Sequence, residues 1–229
     1  MNLRSRLFLT AGLLAAPLAQ AGVVIVSETL SSGNAIGDAP NSGLARVLNV
    51  STSDTVITDI SVGLDIGSLA GDTAWNGDLY AQLVGPSGTL SVLINRPGVT
   101  DPANAGYGDP GFSVTLSDSA TTDIHEYPFL PGGPTFNPSG QVTGTWQSDG
   151  RTDPTTSGRT KPLSQLFGQN PNGNWTLLVA DLANGNRAQL NSWSLTITTS
   201  PVPEPAATMA LSGIALLATA VWLKRQKQG

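Results

Sequence analysis

The sequence contains no cysteine and a single histidine, His125, among its 229 residues. Without thiols there is no disulfide framework, no thiolate nucleophile and no cysteine-metal site, and one imidazole excludes centres that need several histidines. Basic charge is scarce as well. All sixteen acidic residues but only six of the eleven Lys and Arg lie between Gly22 and Pro205, so this part carries −10 where the whole chain carries −5. No Lys/Arg cluster is present to neutralise a phosphate backbone, which argues against nucleic-acid binding. No helical period of useful length occurs between the two ends, and neither a nucleophile elbow nor an EF-hand spacing is found. His125, inside Thr122-Asp123-Ile124-His125-Glu126-Tyr127, reads as a loop residue, and the chain is expected not to be an enzyme.

What the sequence does have is Asp, Gly, Pro and short apolar alternations. Thirteen of the sixteen acids are Asp, set among Gly, Asn and Ser, the composition of turns rather than of charged helices. Val23–Ser27, Leu44–Val50, Val56–Ile66, Leu79–Val84, Thr89–Ile94 and Phe112–Leu116 read as strands. In Val56–Ile66 the residues Val56, Ile60, Val62, Leu64 and Ile66 oppose Asp59, Ser61 and Asp65, the pattern of a strand with one buried face. Gly85-Pro86-Ser87-Gly88 is a tight turn that closes a hairpin. Farther on, Trp175, Leu177 and Val179 share one side of an extended run, and Leu190, Trp193, Leu195 and Ile197 carry a second. The Asn184-Gly185 step between them predicts that these two runs pair as a closing hairpin. Their tryptophans are expected to fill a core.

Between Ser117 and Thr160 periodicity fades, with nine Gly or Pro from Pro128 to Gly150. A loop of that length marks a functional surface or an insertion. Its neighbourhood holds Tyr107, Tyr127, Phe129, Phe136 and Trp146, expected to pack more than to stack on sugars. Calcium, which takes Asp carboxylates, carbonyls and water, remains open. Asp72, Asp78, Asp109, Asp118 and Asp181 all fall near strand ends. The fold class is all-β, an antiparallel jelly-roll-like sandwich of about eight or nine strands in one domain over 22–200.

The two ends are of another kind. Residues 1–21 have Arg4 and Arg6, an apolar run from Leu7 to Ala16 and the small-residue site Ala19-Gln20-Ala21, the parts of a secretory signal that signal peptidase cuts after Ala21. At the other end, Pro201-Val202-Pro203-Glu204-Pro205 (201–205) leads into the uncharged run Ala206–Leu223 and the basic tail 224–229. Eighteen residues at about 1.5 Å each reach roughly 27 Å, just enough for a transmembrane helix, with the basic tail cytoplasmic. Three prolines in the spacer keep it out of the last strand.

Two resemblances follow from these residues. The order Leu163-x-x-Leu166-Phe167-Gly168, Asn172-Gly173-Asn174-Trp175-Thr176-Leu177, Val179-Ala180-Asp181 and Leu190-Asn191-Ser192-Trp193-Ser194-Leu195-Thr196-Ile197 resembles the C-terminal half of the proprotein-convertase P domain (P/Homo B domain). Upstream, Gly77-Asp78-Leu79 with Gly85-Pro86-Ser87-Gly88-Thr89 is similar to that family's other signature. Trp75 stands near where many members have His, and Asp118-Ser119-Ala120 matches loosely. The tail, with Val202, Pro203, Glu204 and Pro205 ahead of span and basic cluster, resembles the PEP-CTERM signal that exosortase recognises in Gram-negative bacteria.

The resemblances imply export through an inner-membrane intermediate, then residence at the cell surface or in the extracellular, biofilm-type matrix. There a non-catalytic β-sandwich is expected to act in adhesion, or in binding a polysaccharide or protein ligand. Two alternatives stay open: a stabilising module for a secreted protease partner, and a carbohydrate-active envelope enzyme using loop carboxylates.

Overall fold

A computed structural model describes residues 21–31, 34–38 and 42–200. Its strands are β1 (Gly22–Thr29), β2 (Gly43–Val50), β3 (Val56–Ser68), β4 (Leu79–Val84), β5 (Leu90–Asn95), β6 (Gly111–Ser117), β7 (Thr135–Phe136), β8 (Val142–Trp146), β9 (Gly173–Asp181) and β10 (Ala188–Ser200). They form two sheets, one of six strands in the order β1-β10-β3-β6-β8-β7 and one of four in the order β2-β9-β4-β5. That makes ten strands among the described residues, where about eight or nine were expected. The pairing is antiparallel except between β6 and β8, which run parallel. The all-β class expected from the short alternations is the class that forms.

Period-two alternation explains how the sheets face each other. Ile60, Val62, Leu64 and Ile66 of β3, with Trp193, Leu195 and Ile197 of β10, are buried from the six-stranded side. Trp175, Leu177 and Val179 of β9, with Leu79, Ala81 and Leu83 of β4, meet them from the other, in one hydrophobic cluster. Two irregularities adjust the pattern. The register slips between Leu190 and Ser192, so Asn191 is an extra residue and both Leu190 and Trp193 point inward despite their odd spacing. A second slip, between Thr198 and Thr199, puts Ile57 in the core in place of the expected Val56.

The expected hairpin of β9 and β10 does not form. Leu83 pairs with Leu177 on one side of β9 and Arg46 with Leu177 on the other, while β10 lies between β1 and β3. The link 182–187 instead arches from one sheet to the other. The physical reason is that each run has its own apolar face, and both faces are satisfied when the two strands oppose each other across the core rather than side by side. Gly185 (φ 83°) and Asn186 (φ 57°) still supply the left-handed turn that the Asn-Gly step promised. The β4–β5 hairpin forms as expected, with the Gly88 N–H donating to the Gly85 carbonyl at 2.9 Å.

Segment 117–160 is not a structureless loop. It holds β7, β8 and a 3₁₀ segment, Ile124–Phe129, and then runs along the outer edge of β5. There the N–H of Asp149 donates to Leu93 (3.0 Å), that of Gly150 to Val92 (2.9 Å), and that of Val92 to Lys161 (2.9 Å). An edge that would otherwise offer free backbone groups is thereby covered. Among the described residues no helix is long and apolar enough to cross a membrane. Residues 1–20, the sorting motif Val202–Pro205, the expected span 206–223 and the tail 224–229 lie outside the described residues.

Candidate functional site

Register across the six-stranded sheet decides what its outer face carries. One row sets Ser27, Ser194, Gly63, Thr115 and Thr145 side by side, and two residues along sit Thr29, Ser192, Asp65, Ser113 and Thr143. Neighbouring strands lie about 4.8 Å apart, so the rows present closely spaced hydroxyls on either side of β3, which contributes Gly63 and Asp65. All of these row residues but Thr143 line an open cleft of about 450 Å³. Gly63 forms its floor, because a Cβ there would run into the Ser194 hydroxyl. Asp65 Oδ1 accepts from Gln141 Nε2 (2.8 Å) and Asn191 Nδ2 (2.9 Å), which hold the carboxylate in place. Past the cleft, on β1, the face turns apolar, with Val23 and Ile25 62% and 67% exposed.

The middle segment is organised by buried charge. His125, expected as a loop residue, is 5% exposed, and its Nδ1 lies 2.8 Å from Asp149 Oδ2. Asp149, fully buried, also meets Arg151 at 3.2 Å and accepts from the Asn95 N–H at 3.1 Å. Arg151 continues to Asp123 at 2.7 Å. Asp118 accepts from Ser148 Oγ and the Ser164 N–H, both at 2.7 Å, with Arg159 3.7 Å away. These carboxylates are tied into ion pairs and caps that shape the segment. Of the segment's aromatics, Tyr127 and Trp146 are buried while Phe129 and Phe136 are exposed. The Tyr127 hydroxyl donates to Asp109 Oδ2 at 2.5 Å, and burial first, then that bond, raises its pKa.

The structure sorts the five aspartates singled out for calcium. Asp109 is bonded to Tyr127, Asp118 to Ser148, and Asp72 to Arg187 at 2.8 Å, whose hydrogen bond pulls the Asp72 pKa down. Asp78 and Asp181 are left. Asp181 closes β9 with no exposure, and burial, followed by the charges of Asp78, Asp38 and Asp72, pushes its pKa up to about 6. Burial likewise raises that of Asp78, against the influence of Arg96. Asp38, which no sequence pattern picks out, pairs with Asp181 in an isolated backbone β-bridge. The signal that could have found it is only its place in a Gly/Asn/Pro-rich loop. Among the described residues no three carboxylate or imidazole side chains are already gathered as metal ligands. Of the processing residues, Ala21 is exposed just ahead of β1, and Ala19, Val202, Pro203, Glu204 and Pro205 lie outside the described residues.

Comparison with known proteins agrees with both resemblances. Residues 135–197 match the family of the proprotein convertase P-domain, and residues 201–226 match the PEP-CTERM protein-sorting motif. No curated protein matches the chain. Among solved structures, a serine protease of Aeromonas sobria aligns at 18% identity and a TM-score of 0.45, over 81% of this chain and 28% of that one. The Aeromonas sobria serine protease in complex with its chaperone aligns at 17% and 0.46, over 82% and 28%. The chain thus spans under a third of the length of those proteases. The chain combines a segment similar to the proprotein convertase P-domain with a match to the PEP-CTERM protein-sorting motif, which indicates export and sorting to the cell surface of a Gram-negative bacterium.

Proposed function

We propose that the chain is a non-catalytic, jelly-roll-like sandwich that binds extracellular polysaccharide across the outer face of its six-stranded sheet. Signal peptidase cuts after Ala21, Ala206–Leu223 holds the chain briefly in the inner membrane, and exosortase acts at Val202–Pro205 to release it to the surface or matrix. The observation that supports the reading is the hydroxyl-lined cleft around Gly63. Serine and threonine hydroxyls donate and accept alike, as sugar hydroxyls do, and an open groove across strands admits a chain rather than a single small molecule. Weak, repeated contacts of this kind suit retention in a matrix, where many copies act together.

The test is binding of the purified processed protein to the host's own extracellular polysaccharide and to a glycan array. Thr115→Trp fills the cleft from an exposed position and should weaken retention at least tenfold with little change in melting temperature. Undiminished retention would move the ligand off this face. A second reading, an accessory module for a secreted protease, is favoured by the P-domain match at 135–197. Co-purification of a protease with the native protein would support it.

A further inference from the structure

We propose that β1 is a docking edge for a second copy of this chain. The two β1 strands pair antiparallel about a two-fold axis at Ile25, so that two six-stranded sheets continue into one. Four strands bound the two sheets, and three of them are guarded. The outer edge of β5 is covered by the middle segment, β7 is only two residues long, and β2 carries Arg46, held by Asn34 at 2.7 Å. β1 has eight residues, no proline, no lysine or arginine, and no break in its register with β10. Among the described residues it pairs with β10 alone.

The register fixes which backbone groups of β1 are free. The Leu30 N–H donates to the Asn191 carbonyl at 2.8 Å, on the same register that sets Gly22 opposite Thr199. Antiparallel pairs alternate between bonded and non-bonded, so the even-numbered residues of β1 bond to β10 while Val23, Ile25 and Ser27 turn their N–H and C=O outward. A second β1 with Ile25 opposite Ile25 and Val23 opposite Ser27 pairs all of these groups at once. On the outer face that register gathers the exposed Val23 and Ile25 of both copies into one apolar cluster. On the inner face it sets Val24, only half-buried against the core, opposite the other copy's Val26, which is half-buried too. Self-pairing asks for free groups placed symmetrically about one residue and for side chains that match their own image, and this strand has both. Charge favours the same edge. Gly22 to Pro205 carry −10, so copies repel, but the one charge on β1, Glu28, already accepts from the Trp193 indole at 3.0 Å.

The full chain produced in its host and purified in mild detergent is followed by sedimentation velocity. Over about 1–200 µM it should form dimers with a dissociation constant on the order of 10⁻⁵ M, as suits a small contact confined to an edge. Added salt, by screening the net charge, should tighten them. Ile25→Lys, at an exposed position, should raise the dissociation constant at least tenfold with little change in melting temperature. Ile25→Cys reads the two-fold directly and decides the matter if the lysine variant fails to fold. The chain has no cysteine of its own, and the paired Cα atoms lie about 5.5 Å apart, within disulfide reach, so mild oxidation should link two copies. Val47→Cys, exposed on β2, should not link them. A monomer throughout would leave the edge to a strand of another protein and overturn the pairing. Dimers unmoved by Ile25→Lys would overturn it as well, as would cross-linking at Val47 equal to that at Ile25.

Discussion

Trp193 shows how one side chain serves two demands. Its ring is 1% exposed between the sheets, and its Nε1 donates to Glu28 Oε2 at 3.0 Å, so the indole tethers the edge strand β1 as well as filling space. Trp193→Ala should cost about 3–5 kcal/mol in urea unfolding. Trp193→Phe should lose about 1–3 kcal/mol, because it keeps the bulk but leaves the Glu28 carboxylate without its donor. Asp149 is the comparable polar residue. Asp149→Ala strands Arg151 and His125 in a dry site and should cost about 3–5 kcal/mol. Asp181 makes a pH prediction. Its folded pKa, about 6, lies above the ordinary 3.8, so the stability it contributes is full below 3.8 and lost as pH rises through 6. Asp38, Asp72 and Asp78 share that environment and push in the same direction. Asp181→Asn should therefore raise the urea midpoint at pH 7 and leave it unchanged near pH 4; a loss at pH 7 would contradict the raised pKa.

At the scale of elements, the arch between β9 and β10 and the covered edge of β5 matter most. Both depend on loops that run closely against backbone. Gly77 is one such contact, since a Cβ there would run into the Ala105 carbonyl and come within 2.7 Å of the Gly106 Cα, where the Gly77 N–H donates to Tyr107. Gly77→Ala should cost about 1–3 kcal/mol and speed amide exchange across 96–110, with the core strands unaffected. A change confined to β4 instead would show that the loop is not anchored there. The alternation along single strands made β3, β4 and β10 legible in advance. Apart from the β4–β5 hairpin, which strands became neighbours was not, because β9 and β10 look equally suited to pairing or to facing each other.

For the whole molecule, residues 22–200 expressed alone should be soluble and show a β-type circular dichroism without helical minima, since strands and a shared core account for them. The processed protein recovered from its host should lack Ala206–Gly229, and mass spectrometry of the surface form measures this directly. Intact Gly229 in that form would replace the sorting reading with a plain membrane anchor. Ala206–Leu223, with Gly213 and many Ala, is long enough for transient insertion and only modest as a permanent span.

The sequence alone determined the features that rest on local pattern: the all-β class, the tight turn at Gly85–Gly88, the tryptophan core, and the sorting motif, whose Pro-rich spacer, apolar run and basic cluster stand next to one another in the chain. Only the tertiary structure decided the features that join distant residues. His125, Asp149 and Arg151 look like solvated loop residues until the edge of β5 draws them inside, where Asp149 contacts both of the others. Asp38 meets the end of β9 at Asp181 only through the tertiary fold. The hydroxyl face likewise appears only when register aligns five strands, since no single strand carries more than a few of its residues.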